Sequence, residues 1–344
     1  MINALSMKLR VYLATLLGLY IFIPLNSSPC LSQTLSAPLL KLQKQFRAHH
    51  LSGESMIKIR HSLTTDSFMT AASDGRLKIW SAPDVLLKEF VQPGNSMIFN
   101  ARFNPNNDQY LTAAYSGVAS LWSLDNSHPI HNYKPHLSGV TDLELLADNA
   151  GLVTTSDDGS IRYWSEDGQL VKRIQRPGVS RFVTQAKNRG LIAVTQDTGT
   201  VTLLNNHGNL LQVLKTTQGR LNAIIFNHDE SILVTGGFDG TIKIWFVEDP
   251  YKPLKLINTI PAVAGAGWIE GLVLNNTDLL ASTTDDGILR IWTLQGNLLA
   301  SQKLSEHHLL SASFDRTGRI LLTAASDGTI SVLSLTHPNH KTNR

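Results

Sequence analysis

Two pairs of adjacent carboxylates, Asp157-Asp158 and Asp285-Asp286, are the residues of this chain whose types and spacing first suggest chemistry. Acids held side by side serve hydrolysis by general acid and base, or a cation site. Each pair, however, runs directly into a glycine, Gly159 or Gly287. Asp-Gly is a tight-turn dipeptide, because glycine takes the positive φ that hairpin turns demand and aspartate bonds its own backbone. Two histidine pairs, His49-His50 and His307-His308, would bring four imidazoles to a metal if they converged. Their spacing is not a metal signature, and solvated loop histidines are expected. The remaining acids of interest are Asp142, Glu144 and Glu270, on stretches otherwise made mostly of Met, Ile, Leu and Ser. No nucleophile motif, phosphate loop or dinucleotide fingerprint is present. The expectation is therefore no catalytic residue, no cofactor and no metal. A sequon, Asn275-Asn276-Thr277, matters only in a host that glycosylates.

The turn dipeptides belong to a longer recurring element, seen most clearly in Phe238-Asp239-Gly240-Thr241-Ile242-Lys243-Ile244-Trp245. After the turn, polar and apolar residues alternate with the period of a half-buried strand. The same glycine, with an aromatic or aliphatic residue five positions later, recurs as Gly75/Trp80, Gly117/Trp122, Gly159/Trp164, Gly199/Leu204, Gly240/Trp245, Gly287/Trp292 and Gly328/Leu333. Consecutive glycines are 42, 42, 40, 41, 47 and 41 residues apart, the period of a four-stranded propeller blade. The longest step holds an insertion, Glu248 to Pro253, expected as a surface loop.

With these features in register, the chain resembles the WD-repeat β-propeller family over roughly residues 38 to 336. Four residues before the turn Asp position stands a hydroxyl: Thr70, Thr112, Thr154, Thr235, Ser282 and Thr323. The turn aspartate is Asp74, Asp158, Asp239, Asp286 or Asp327, with Ser116 and Thr198 in the other two copies. In the family, hydroxyl, aspartate, tryptophan and a histidine at the blade entrance form a buried hydrogen-bond chain. Only His136 is expected at that entrance. The structural set implied is thus Thr70, Asp74 and Trp80; His136, Thr154, Asp158 and Trp164; Thr235, Asp239 and Trp245; Ser282, Asp286 and Trp292; and Thr323 with Asp327. The aspartate that follows tryptophan in the family is replaced here by Ser81, Ser123, Ser165, Phe246 and Thr293. Blade four is degenerate, with Val194, Thr198 and Leu204, and is expected to replace the polar chain by packing.

The resemblance implies an all-β fold, a seven-bladed β-propeller of four-stranded antiparallel blades. The last copy ends without a fourth strand, whereas Leu39 to Phe46 resembles the outer strands Leu86 to Phe90 and Leu254 to Ile257. That N-terminal strand is expected to complete the last blade and close the ring, which removes exposed sheet edges. The propeller would occupy 39–336 and leave a polar tail at 337–344.

Before it, Lys8 and Arg10 precede an apolar run from Val11 to Leu25, short for a membrane span but suited to a secretory signal. Residues 1–32 are read as a signal peptide and 33–38 as a linker; Met7 is an alternative start. An uncleaved anchor would leave the propeller in the same exported compartment, periplasmic or extracellular. Lipidation at Cys30 is disfavoured by Pro29. The mature chain would then lack cysteine, which suits an oxidising compartment. The chain carries 30 basic and 27 acidic residues, and losing Lys8 and Arg10 leaves 28 basic ones, a near-neutral balance without a basic cluster. Nucleic-acid binding is not expected. Nor is a membrane span in the mature chain.

The family's contacts lie on the top face, beside the first inward residue of each innermost strand and just before the turn aspartate. That resemblance points to Ser55 and Ile57, Met97 and Phe99, Thr141, Arg181, Arg220 and Asn222, Ile269, His308 and Leu310. The turn positions are Ser73, Tyr115, Asp157, Asp197, Phe238, Asp285 and Ser326, with Asp157 and Asp285 expected to face solvent. Trp268 is read as the first inward residue of blade six, equivalent to Met56, Ile98, Val140, Leu221 and Leu309. The expected partner site is Met97, Phe99, Tyr115, Asp157, Arg220, Asn222, Phe238, Trp268 and Asp285, of the types that anchor interfaces. The function expected is a scaffold for protein or peptide partners, as a monomer or a subunit of a complex. The alternatives are a hydrolase or lyase at the axial channel, or a permanent envelope subunit.

Overall fold

Alternation of polar with branched or aromatic residues, cut every few positions by Gly, Asn and Asp, drives this chain into short antiparallel strands. The structure, a computed structural model, describes residues 39–50, 55–62, 64–104, 109–133, 136–146, 151–261 and 267–336. The expected signal peptide, linker and C-terminal tail lie outside the described residues. Among the described residues no helix is long and apolar enough to cross a membrane.

The strands form seven four-stranded antiparallel sheets. Blade five shows the plan: Leu221–Phe226 innermost, then Ile232–Gly237, Ile242–Phe246 and, outermost, Lys255–Ile260. The innermost strands of the other blades are Ile57–His61, Ile98–Asn104, Val140–Leu145, Ser180–Ala186, Ile269–Leu274 and Leu309–Phe314. Each packs on the innermost strands of both neighbours, and Leu309–Phe314 packs on Ile57–His61, so the ring is closed. Seven apolar clusters fill the seams between adjacent blades. The third-strand tryptophans sit in these seams; Trp122 and Trp164 are 0% and 1% exposed. Burial of one such side chain contributes on the order of 3 kcal/mol before entropy is counted.

The closing blade is Leu309–Phe314, Ile320–Ala325, Thr329–Thr336 and the N-terminal Leu39–Arg47. As expected, the N-terminal strand supplies the missing fourth strand, antiparallel to Thr329–Thr336 with one irregularity between Leu42 and Lys44. The blade turns need glycine for a second reason besides φ. At Gly287 (φ 74°), a Cβ would fall 2.0 Å from the Ser305 carbonyl oxygen, because the next blade's entrance crosses directly over the turn.

Innermost strands carry a feature that repeat spacing does not reveal. In blades two to seven the register shifts just after the first pair, between Ile98 and Asn100, Val140 and Asp142, Ser180 and Val183, Leu221 and Ala223, Ile269 and Gly271, and Leu309 and Ser311. Such a bulge re-aims the extra residue. Blade one has none: Ile57, Lys58, Ile59 and Arg60 pair in an unbroken ladder.

Candidate functional site

The polar chain inside the blades accounts for most of the chemistry-bearing residues. The five third-strand tryptophans donate from Nε1 to the hydroxyl of their own blade: Trp80 to Thr70, Trp122 to Thr112, Trp164 to Thr154, Trp245 to Thr235 and Trp292 to Ser282, at 2.9 to 3.0 Å. In blade three the same hydroxyl also meets His136 Nε2 at 2.7 Å. On the other side of the ring Ser160 Oγ donates to Asp158 at 2.6 Å and so accepts from His136 Nδ1 at 2.9 Å, which assigns the proton to Nδ1 and leaves Nε2 to accept from the Thr154 hydroxyl. Burial and the Arg162 guanidinium push His136 down to about 4.

His136 is not alone at a blade entrance, which corrects the sequence expectation. His49, 0% exposed, bonds Thr70 at 2.8 Å and Asp74 at 2.8 Å. In blades two and five a glutamine does this work: Thr112 donates to Gln92 Oε1 and Thr235 to Gln218 Oε1. These acceptors precede their hydroxyls by 21, 20, 18 and 17 residues in blades one, two, three and five, so a fixed offset misses three of the four. Buried and with both ring nitrogens occupied, His49 is not the solvated loop histidine expected. Among the described residues no group of three His, Cys, Asp or Glu is placed to hold a metal.

The second aspartate of each pair is consumed by its turn. Asp158 accepts from Ser160 N at 2.8 Å and Leu137 N at 2.9 Å and lies 3.5 Å from Arg162. Asp286 accepts from Ile288 N at 2.9 Å and pairs with Arg290 at 2.6 Å. Despite burial, these hydrogen bonds hold both carboxyls well below the usual range. Asp74, Asp239 and Asp327 likewise accept from the amide two residues on, at 2.9 to 3.0 Å. In blade seven the buried Thr323 hydroxyl has no hydrogen-bond partner among the described residues, Leu333 standing where tryptophan would donate.

What remains lies on the top face, where the turns between second and third strands meet the starts of the innermost strands. Strand pairing corrects two positions there. Ile57 and Ile269, opposite Ala72 and Thr284, hold the place that Ile98, Val140, Leu221 and Leu309 hold opposite Ala114, Ser156, Gly237 and Ala325. Met56 and Trp268 come one residue earlier, on the rim. The flanking residues in blades one and six are thus Met56 with Lys58 and Trp268 with Glu270, not Ser55, Ile57 and Ile269. Size was the misleading cue, since the branched isoleucines are the buried residues, at 0% and 4%, while Met56 is 36% exposed.

Two aromatic groups result. Phe99 and Tyr115 meet edge to face at 5.9 Å, beside Gly139 and Asp157 of blade three. Across the ring, Phe238 stacks on Trp268 at 4.8 Å, the Arg220 guanidinium lies over the same Phe238 ring at 4.9 Å, and His308 meets Trp268 edge-on at 6.3 Å. Blades five, six and seven thereby share one ladder. Tyr115 and Phe238 are 56% and 38% exposed, whereas Phe99 and Trp268 are half-buried. Met97 is half-buried and its carbonyl accepts from Tyr115 N at 2.9 Å.

Asp157 and Asp285 are half-buried rather than solvent-facing. Burial pushes the Asp157 carboxyl up, against the pull of Arg181 and Arg220. Asp285 Oδ1, Arg181 Nε and Arg220 Nε are buried with no hydrogen-bond partner among the described residues. Asn222, the bulged residue of blade five, is 6% exposed and lines the channel instead of the open face.

Sequence reasoning also passed over the channel cations. Lys58, Arg60 and Arg102 join Asp142, Glu144 and Glu270 on the channel wall. Burial and the Arg60 charge push Lys58 down to about 8, while burial raises Glu270, which accepts from Trp268 Nε1. At this level the channel holds only about 50 Å³. The period-2 alternation of Ile57-Lys58-Ile59-Arg60 was the available signal.

Comparison with known proteins bears on the ring as a whole. The family model described as "WD domain, G-beta repeat" matches residues 127–165, 208–245 and 298–333. The chain is 39% identical over 311 residues to the "Uncharacterized WD repeat-containing protein slr1410" of Synechocystis sp., covering 90% of this chain and 91% of that protein. It is 25% identical over 190 residues to the SIR4-interacting protein SIF2 of Saccharomyces cerevisiae, 54% of this chain and 30% of that one. Similarity to telomerase protein component 1 of Mus musculus is 23% over 288 residues, 78% of this chain but 10% of that much longer protein.

Proposed function

The chain belongs to the WD-repeat family, and from that premise we propose that it is a non-catalytic scaffold, exported from the cytoplasm, that binds a protein or peptide partner on its top face. The ladder Arg220, Phe238, Trp268 and His308 carries this reading. Stacked aromatics and an arginine at the centre of a face are the side chains from which binding hot spots are made. Phe99 and Tyr115 add a second anchor, and the unpartnered Arg220 Nε and Asp285 Oδ1 offer polar selectivity. The name of the yeast relative, a SIR4-interacting protein, describes a function of the same kind. Export rests on the basic and apolar pattern of residues 1–32 and on Cys30 being the single cysteine.

A hydrolase or lyase at the axial channel would need room for a substrate beside Glu270 or Lys58. Beside those two residues the void of about 50 Å³ is suited to water rather than to a substrate. The deciding experiment is chemical cross-linking in native envelope extract with mass spectrometry, comparing wild type with Phe99→Glu/Phe238→Glu/Trp268→Glu. One defined partner is captured by wild type and lost in the variant, while melting temperatures agree. Equal capture by both moves the interface off this face, and hydrolysis of glycoside, ester or lactone substrates that is lost in Glu270→Gln would overturn the proposal.

A further inference from the structure

We propose that the bottom mouth of the axial channel binds a small organic anion, whose carboxylate or phosphate pairs with Arg60 and whose apolar body lies against Phe103, Phe226 and Phe314. Below the narrow waist, where the innermost strands end, the channel widens into a cavity of about 460 Å³. That volume falls in the range of small-molecule sites. The three phenylalanines close the innermost strands of blades two, five and seven and line the same cavity.

The charge balance around the cavity is what points to an anion. Asp142 accepts from Asn100 Nδ2 at 2.6 Å and Val183 N at 3.0 Å, and lies 3.5 Å from Arg102. Glu144 is paired with Arg102 at 3.3 Å. Asp315 is taken up by its own turn, accepting from Thr317 Oγ1 at 2.6 Å and from the amides of Arg319 and Ile320 at 2.9 and 2.8 Å. Arg316 is held by Asp66 at 3.0 Å. Among the described residues the carboxylates that line the cavity, Glu144 and Asp315, are thus engaged elsewhere, Asp142 and Glu144 attract Arg60 only from beyond ion-pair distance, and Arg60 and Lys187 are the lining cations without an ion pair.

Arg60 is the more telling of the two. It lines both the cavity and the waist, its Nε is buried, and it has no hydrogen-bond or ion-pair partner among the described residues. Burial and the neighbouring Arg102 push it down to about 10, so it remains charged at neutral pH. Arg60 as a whole is half-buried on the cavity wall, and its planar fork suits a carboxylate or phosphate. Lys187 stands exposed at the rim, with no ion pair among the described residues, and is placed to draw an anion in.

The test uses the purified chain and four probes: phenylacetate, phenyl phosphate, neutral phenylacetamide and inorganic phosphate, followed by calorimetry and thermal melting. At least one aromatic anion binds saturably and raises the melting temperature, whereas phenylacetamide does not. Arg60→Met weakens that binding by about ten-fold or more, and Lys187→Met by about two- to three-fold. Tighter binding of phenylacetate assigns a carboxylate ligand; tighter binding of phenyl phosphate assigns a phosphate. Inorganic phosphate binding as tightly as phenyl phosphate overturns the apolar part of the site. Without ligand, Arg60→Met folds and melts close to wild type, because no hydrogen bond or ion pair among the described residues is lost with the guanidinium. No response to either aromatic anion, a response that Arg60→Met leaves within about two-fold of wild type, or failure of Arg60→Met to fold would each overturn the site. The last would mean that the guanidinium is already partnered within the fold.

Discussion

Thr154 and Thr323 occupy the same position in blades three and seven and are equally buried, yet their hydroxyls have opposite roles. The Thr154 hydroxyl joins His136 and Trp164, at 2.7 and 2.9 Å, whereas that of Thr323 bonds none of the described residues. Replacing Thr154 with valine strands two buried nitrogens, and should cost about 2 to 4 kcal/mol. The same change at Thr323 removes an unsatisfied hydroxyl and should be neutral or stabilising by up to about 1 kcal/mol. Denaturant midpoints of the two variants, read against wild type, test the pair; equal losses would refute the assignment. At His136 the expectation concerns pH. Its folded value of about 4 lies below the ordinary 6.5, so the unfolded chain binds more protons between these limits and stability falls as pH drops through that window. The full loss is on the order of 3 kcal/mol, since a protonated ring cannot accept from Thr154. Asp158, whose carboxyl is held low, loses stability in the same direction, at lower pH. Gln92 and Gln218 show that an amide serves the position. His136→Gln should therefore keep neutral-pH stability within about 1 kcal/mol and flatten the profile between pH 6.5 and 4. An unchanged acid profile would place the loss elsewhere.

Among the elements, the N-terminal strand Leu39–Arg47 has the largest consequence for the fold. It pairs from Leu39 opposite Thr336 to Arg47 opposite Thr329, Gln45 donates to Ser331 Oγ at 2.8 Å, and Phe46 meets Trp80 of blade one edge-on at 5.3 Å. Without it, Thr329–Thr336 becomes a bare edge and the seam between blades seven and one loses an aromatic contact. Deleting residues 39–47 should abolish soluble expression. A soluble deletion that melts cooperatively would show that the ring does not depend on this closure. The bulges of the innermost strands act at the same scale. Their extra residue is Phe99 in blade two, which meets Tyr115 on the top face, and Asn222 in blade five, which lines the channel.

At the largest scale, the blades over residues 39–336 form a ring with unlike ends, an aromatic top and a cationic bottom mouth, separated by a waist of about 50 Å³. A formal charge of +3 over the chain conceals this, because the channel charges are local and mostly paired. Since the two ends share no side chain, their functions should separate. Arg60→Met should leave partner capture intact, and the top-face variant should keep its response to the anionic probes. Loss of both by either variant would indicate that the ring itself had been damaged.

Much of this was legible without coordinates, because a repeat protein writes each structural role several times. Gly75 to Gly328 set the blade number, Thr70 with Trp80 and its copies set the polar chain, and the orphan strand at Leu39 predicted closure. Local spacing suffices for such features, since turn, hydroxyl and tryptophan sit on one hairpin. Roles that join separate hairpins were not legible. His49, Gln92 and Gln218 reach their hydroxyls across entrances of different length, and Trp268 lies one residue off its expected place. The bulges that turn Asn222 inward, and the pairing that leaves Arg60 alone while Arg102 is satisfied, arise where three or more blades converge. Only closure of the ring decides which side chains meet at its axis, because those contacts depend on the summed geometry of all seven blades.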